Sequence, residues 1–503
     1  MEPLFELSIA LPPRGSRERL RALHHQLRTA IIEGRLQPGL KLPPTRSLAA
    51  AFGVSRNTAV TAYSLLLSEG YITSRHGPGT YVATALPQPP TKKSATISPA
   101  SDRRLNAFWR SHPRLSDESS VQDYPYDFGL GVPDTKHFPF EEWRRVSARV
   151  LRSLSKTSAT YQPPQGSAAL REAIARHVSL TRAVACQADD IIVTAGAQQA
   201  FDLLARVLVT RTRMVVALED PGYPPARAAF AASGAKLIPV PVDEEGLIVE
   251  RLPPQAKVIY VTPSHQFPLG TSLSLRRRAA LLEFAQARGA VIIEDDYDGE
   301  FRFGGRPLDA LQTLDRAESV FYVGTFSKSV FPMIRLGFIV SPPWARSTLL
   351  TVKQLTDWHC AVLPQETLAA FISDGLLARH VRTMRPIYNE RREVLLQTLH
   401  RDFDRWLVPL PSSAGLHVTA LAKGGFDADT VSAQALERGI RVTSLRRFHT
   451  SRPARQGLIF GYGAIDVARI REGLKRLHSL ASLSLSRSSP GTPRAHARSS
   501  AIR

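Results

Sequence analysis

The chain has 503 residues, 43% of them hydrophobic and 22% charged, which excludes disorder over most of its length and calls for two or more cores. Sixty-five Lys and Arg against 44 Asp and Glu leave a net charge of +21, an excess suited to a polyphosphate partner such as nucleic acid. No apolar run reaches the roughly 18 residues of a membrane span. The start, MEPLFELSIALPPRG, has neither the cationic head nor the apolar core of a signal peptide. Two distant cysteines, Cys186 and Cys360, make no disulfide framework and no metal-ligand cluster, so a cytoplasmic, metal-free protein is expected.

In chain order, residues 16–83 form a compact, mainly helical module. Leu20, Leu23, Leu27, Ile31 and Ile32 recur on one face of a helix predicted over 19–33. After two prolines a short helix is predicted over 45–52, then a tight turn at Gly53-Val54. Ser55 is placed to cap a second helix over 56–69, with Val60, Tyr63, Leu66 and Leu67 facing inward. Two short helices joined by a glycine turn are a helix-turn-helix. The start of the second helix then presents Ser55, Arg56, Asn57 and Thr58 toward base edges and phosphates. Residues 71–73 and 79–82 flank SRHGP as a hairpin, a wing. The stretch 84–123, rich in Pro, Ser and charge without periodicity, reads as a flexible linker.

From 124 to 478, β-branched runs alternate with amphipathic stretches. IIVTA (191–195), MVVAL (214–218), KVIYVT (257–262), AVIIED (290–295) and FYVGT (321–325) predict an α/β domain with a mostly parallel sheet. Residues 479–503 carry Arg but little large apolar surface and are expected to be a disordered basic tail.

The chemistry concentrates between 294 and 335. EDDYD ends a buried strand, Lys328 follows Asp295 by 33 residues, and Arg335 lies seven further on. A lysine just past an apolar strand, beside small hydroxyl residues, is what a Schiff base to an aldehyde cofactor needs. Pyridoxal phosphate further needs a carboxylate at its ring nitrogen, a phenol near its 3-oxygen, and hydroxyls with a cation for its phosphate. Asp295, Tyr297, and the set Thr325, Ser327 and Arg335 meet these needs. In TAGAQQAFDLL, Ala197 and Gln198 open a helix whose free N–H groups face an anion.

With LPPTRSLAAAFGVSRNTAVTAYSLLLSEGYI and RHGPGTYV, residues 16–83 resemble the winged helix-turn-helix of the GntR family of bacterial regulators. The resemblance implies contacts to double-stranded operator DNA by Arg46, Ser55, Arg56 and Thr58, with His76 and Gly77 entering the minor groove. With YQPPQGSAALREAIA, TAGAQQA, EDPGYP, TPSHQFPLG, EDDYD and GTFSKSVFPMIRLG in order, residues 124–478 resemble fold-type I aminotransferases. That likeness implies that Lys328 carries pyridoxal phosphate, that Asp295 pairs with its ring nitrogen and that Tyr297 meets its 3-oxygen. It also implies that Tyr223 stacks on the ring, and that Tyr161 reaches the phosphate of a partner subunit in a homodimer.

Two positions depart from the pattern. Where these enzymes read Asn-Pro-Thr-Gly, the chain has Phe267-Pro268-Leu269-Gly270. Ile459 stands where an Arg usually forks the substrate carboxylate, with Arg446 and Arg447 nearby as substitutes. The whole arrangement resembles MocR-type transcriptional regulators. That implies a bacterial, cytoplasmic regulator, nucleoid-associated when bound to DNA, with little or no transamination. Its effector would be pyridoxal phosphate or an amine or amino acid. The alternative is a working aminotransferase with a fused DNA-binding head.

Overall fold

The computed structural model describes residues 10–13, 16, 18–74, 79–84, 104, 106, 108–109, 124–304 and 309–488. The chain divides into two compact units, Met1–Leu105 and Asn106–Arg503.

The first unit contains helix α1 (Arg19–Ile32), strand β1 (Lys41–Leu42), helices α2 (Thr45–Ala51) and α3 (Arg56–Ser68), and strands β2 (Ile72–Ser74) and β3 (Thr80–Val82). The Ser55 hydroxyl accepts the Thr58 amide at 3.0 Å, satisfying one orphan donor at the start of α3. Gly53 turns the chain between the two helices in a left-handed conformation, φ 59°. Leu23, Leu27, Ile31, Leu36, Leu48, Leu66, Ile72 and Val82 form the core. The inward face of α3 is Ala59, Ala62, Tyr63 and Leu66, while Val60 and Leu67 are 42% and 48% exposed, contrary to the sequence expectation. Reading the stripe through the largest apolar side chains rotated the helix. The two alanines allow close approach instead, and α3 packs against α1 and α2. Ile32, also expected inward, ends α1 at 42% exposure. The hairpin gains a third strand, in the order β1-β3-β2, because Lys41 and Leu42 pair with Tyr81 and Thr80.

The second unit is built on an eight-stranded sheet. Its strands are β4 (Ile191–Thr194), β5 (Val215–Asp220), β6 (Lys236–Asp243), β7 (Gly246–Leu247), β8 (Val258–Val261), β9 (Val291–Asp296), β10 (Val320–Thr325) and β11 (Gly337–Val340). They lie in the order β4-β11-β10-β9-β8-β5-β6-β7. β6, β5, β8, β9 and β10 are mutually parallel, and β11 runs antiparallel between β10 and β4. All five strands predicted from apolar runs are present. The sheet is buried on both faces: Val216, Leu218, Val258 and Tyr260 join one core, and Val215, Ala217, Ile259 and Val261 the other. Side chains alternate with period two, so burial on both faces gives the unbroken apolar runs. β6 escaped the sequence reading because Pro239 and Pro241 interrupt it, and proline weakens a strand assignment.

Four shorter strands, β12 (Leu407–Pro409), β13 (His417–Ala422), β14 (Thr443–Ser444) and β15 (Gly457–Gly461), make a second sheet in the order β12-β13-β15-β14. Val418, Ala420, Leu458 and Phe460 point into the large core, which leaves Thr419 and Ile459, paired across β13 and β15, on the opposite face. The final helix, Val467–Ser488, corrects the expected tail boundary at 479. Ile470, Leu474, Leu477, Leu480 and Ala481 continue one helical stripe, and the last two are buried. No helix among the described residues is long and apolar enough to cross a membrane.

Candidate functional site

In a parallel sheet the loops after the carboxyl ends of the strands gather on one edge, where ligands of α/β proteins sit. Here β5 delivers Asp220 and Tyr223, β8 delivers His265 and Phe267, β9 carries Asp295 near its end and leads to Tyr297 and Asp298, and β10 leads to Thr325, Ser327 and Lys328.

Lys328 donates from Nζ to the Gly131 carbonyl at 2.5 Å. A Cβ at Gly131, whose φ is +69°, would stand 2.5 Å from that nitrogen, so the close approach needs glycine. Burial pushes the Lys328 pKa down against the pull of Asp298 and Asp295, and the nearby Arg335 lowers it further. Its neutral, nucleophilic form is thereby favoured.

Asp295 accepts the Tyr260 hydroxyl on Oδ2 at 2.5 Å, while its Oδ1 is buried without a hydrogen-bond partner. Burial raises its pKa to about 7, with Tyr260 pulling the other way and neighbouring acids adding to the rise. A buried carboxylate with one free oxygen fits a cationic ring N–H, as in a protonated pyridine.

At the other end of the site, helix α4 (Ala197–Leu208) starts at Gly196, φ 78°, with no side-chain cap. Arg335 donates to the Ala195 carbonyl at 2.9 Å, and a Cβ on Gly196 would meet its guanidinium at 2.7 Å. Thr325 and Ser327 share a 3.1 Å hydroxyl contact at the end of β10. A Cβ on Gly337 would lie 2.8 Å from the Gly324 carbonyl and 3.0 Å from Gly196, so the helix start and the end of β10 adjoin. Free N–H groups, hydroxyls and a guanidinium gather donors of the kind that suit an anion such as a phosphate.

Tyr223 meets the Phe267 ring edge-on at 5.4 Å, and Phe267 also contacts Tyr297, His417 and Phe448. Ile459 is buried with Val242, Leu269, Leu445 and Phe448. Arg446 is exposed and meets Asp429 at 2.9 Å. Tyr161 lies elsewhere on the surface, 76% exposed, with its ring 4.4 Å from Trp358. In the first unit Arg46, Ser55 and Arg56 are exposed and Thr58 half-buried, all near the start of the two turn-flanking helices. His76 and Gly77 lie outside the described residues.

Sequence reasoning gave no role to Gly131, Tyr260, His265, Asp298 or His417. His265 and Asp298 sit inside two of the quoted motifs, and Tyr260 was taken only as a strand residue. His265, Asp298 and His417 bring ligand atoms within 4.8 Å of one another. His265 and Asp298 already bond each other, and His417 Nε2 faces the Pro268 carbonyl at 3.0 Å, so hydrogen bonds account for the cluster.

A pH effect follows from the buried acids. Glu219, bonded to Thr262 and Gln266, is raised by burial to about 7, as is Asp295. An acid whose folded pKa exceeds its unfolded value costs stability as pH rises between the two. The cofactor-free protein should therefore melt progressively lower from about pH 5 to about pH 7. Asp295→Asn should flatten that slope in calorimetry, and an unchanged slope would deny Asp295 its raised pKa.

The pattern of "Bacterial regulatory proteins, gntR family" matches residues 20–82, and that of "Aminotransferase class I and II" matches residues 126–477. The chain is 37% identical over 460 residues to the probable rhizopine catabolism regulatory protein MocR of Rhizobium meliloti, covering 91% of this chain and 93% of that protein. It is 33% identical to the pyridoxine biosynthesis transcriptional regulator PdxR of Corynebacterium glutamicum, covering 95% of this chain and 100% of the relative. Among solved structures, the kynurenine aminotransferase of Pyrococcus horikoshii in complex with PMP has 28% identity and a TM-score of 0.67, over 73% of this chain and 92% of that one.

Proposed function

Because this chain belongs to the GntR family, in the MocR-type branch that joins a helix-turn-helix to a class I and II aminotransferase domain, we propose that it is a DNA-binding regulator that holds pyridoxal phosphate. The observation that carries the cofactor reading is the half-buried Lys328, its pKa lowered, in a site that also holds the buried, unsatisfied Oδ1 of Asp295. When bound, the cofactor supplies an aldehyde for amines and an electron-withdrawing ring. Lys328 is the residue to which it attaches, Asp295 holds its ring nitrogen, and Tyr297 faces its 3-oxygen. Tyr223 packs on its ring, while Thr325, Ser327, Arg335 and the backbone at Ala197 and Gln198 receive its phosphate.

The effector is pyridoxal phosphate itself, or an amine or amino acid that reacts with it. Such a ligand shifts DNA binding only if it binds two arrangements of the protein with different free energy. The protein is proposed to be a cytoplasmic homodimer, with Tyr161 completing the partner's phosphate site. The exposed Tyr161–Trp358 pair supports this, since aromatic surface of that size is commonly covered. Anisotropy with a DNA fragment upstream of its own gene, with and without pyridoxal phosphate, tests the reading. Identical affinity with each candidate ligand would refute the sensing role.

Arg56→Ala should weaken that binding by about 1–3 kcal/mol at matched salt if the side chain reads a base. Unaltered affinity would take Arg56 out of the interface. Transamination of common amino acids should be very slow, since apolar Ile459 leaves a substrate carboxylate without a cation. Turnover on the general enzyme scale of about 1–10³ per second would favour an active aminotransferase instead.

A further inference from the structure

His265 lies beneath the cofactor-facing edge of the sheet and is buried, and its Nδ1 has two neighbours at hydrogen-bond distance. Asp298 Oδ2 stands at 2.9 Å and the Tyr297 hydroxyl also at 2.9 Å. An imidazole nitrogen has a single in-plane site, holding either a proton or a lone pair. With Asp298 ionised, Nδ1–H donates to it; with Asp298 protonated, Nδ1 accepts from it. In both cases that site is committed to Asp298, and Tyr297 cannot give its proton to His265.

We propose that Asp298 and His265 are positioning residues that turn the Tyr297 hydroxyl proton toward the cofactor's 3-oxygen, supplying the donor that Phe267 cannot. The inference rests on the reading that this site holds pyridoxal phosphate. Phe267 stands in the loop where the related enzymes carry a side-chain amide, and it offers only ring edges to Tyr223, Tyr297, His417 and Phe448. Tyr297 is then left as the side-chain donor on that flank, and the direction of its one proton matters.

The surroundings hold the pair in place. A Cβ on Gly415, φ +82°, would come within 2.5 Å of Asp298 Oδ2 and would clash with the His265 ring, so bare backbone closes over both. The Tyr462 hydroxyl fixes that backbone by donating to the Gly415 carbonyl at 2.6 Å. On the far side the His417 ring lies 4.8 Å from that of His265, and its Nε2–H is committed to the Pro268 carbonyl. The charged groups facing Tyr297 are Asp298, Asp295, Glu219 and Asp296; those facing Lys328 are Asp298, Asp295 and Arg335. Burial and the four acids push the Tyr297 pKa well up, so the phenol keeps a proton to donate.

The test reads the visible absorption of the pyridoxal phosphate-loaded full chain against pH. A donor at the 3-oxygen stabilises the deprotonated chromophore, so losing it raises the midpoint. Asp298→Ala, which leaves neither donor nor acceptor at that place, frees Nδ1 to accept the Tyr297 proton and should raise the midpoint by about one unit. His265→Phe, which leaves Asp298 to take that proton, should move it in the same direction and serves as a second route to the same readout. In a Tyr297→Phe background, Asp298→Ala should raise it no further. Simple removal of a negative charge predicts the opposite sign, because one fewer anion favours the deprotonated form. A fall on Asp298→Ala in both backgrounds would therefore overturn the positioning role while leaving the cofactor site standing. A wild-type chain that takes up no chromophore would overturn the cofactor reading and this inference with it.

Discussion

Replacing Lys328 with alanine should remove all pyridoxal phosphate that borohydride can fix to the protein. The wild-type chain should be yellow, and reduction followed by peptide mass analysis should place the adduct on Lys328 alone. An amine adds to an aldehyde only in its neutral form, and Lys328 is a lysine whose burial lowers its pKa. Lys353 is buried too, but its Nζ is bound to Asp357 at 2.5 Å and is not offered to a ligand. The variant should stay folded, because Nζ bonds a backbone carbonyl, that of Gly131, and its loss breaks no ion pair. The cradle formed by Arg335, Thr325, Ser327 and the start of α4 remains, so weak noncovalent binding should persist. A full absorption band in Lys328→Ala would place the attachment elsewhere.

How much of this was legible in the sequence differs by element. The five predicted strands form because each is buried on both faces, and that leaves continuous apolar runs that no loop would carry. Asp295, Tyr297, Thr325, Ser327, Lys328 and Arg335 were readable because they follow such strands and supply complementary chemistry. The inward face of α3 was misread for a definite reason. Alanine carries little hydrophobic signal, yet Ala59 and Ala62 are fully buried where α3 packs, and larger Val60 and Leu67 stay out. The His265–Asp298–Tyr297 contacts were not visible at all, since they join loops after two different strands, and only the fold brings those together. The same holds for Gly131, whose close approach to Lys328 spans 197 positions of chain. The C-terminal helix was the reverse case. Leu480 and Ala481 continued a stripe already evident at Ile470, Leu474 and Leu477, but the Ser- and Arg-rich composition that follows drew the boundary too early.

Cutting the full chain at a protease site placed within 84–123 should lower operator affinity by about 10²–10⁴-fold at fixed salt, and pyridoxal phosphate should no longer affect the head's binding. The head has its own core of Leu23, Leu27, Ile31, Leu48 and Leu66, so it should survive the cut folded. Alone, it should engage one half-site through Arg46, Arg56 and their neighbours, and phosphate contacts of that kind weaken steeply with salt. In the proposed dimer the second head is tethered to the first through the two large units, and its binding becomes intramolecular. The linker expected over 84–123 from its Pro, Ser and Lys would then set a high effective concentration without new contacts. Severing it removes that gain and also the only covalent route from Lys328 to the DNA. The released large unit should remain a yellow dimer by sedimentation, because Tyr161 is proposed to complete the partner's phosphate site. A severed head that binds like the intact chain would show that tethering contributes nothing. A cofactor-loaded monomer at micromolar concentration would dismiss the shared site and, with it, the coupling between the ligand and paired heads.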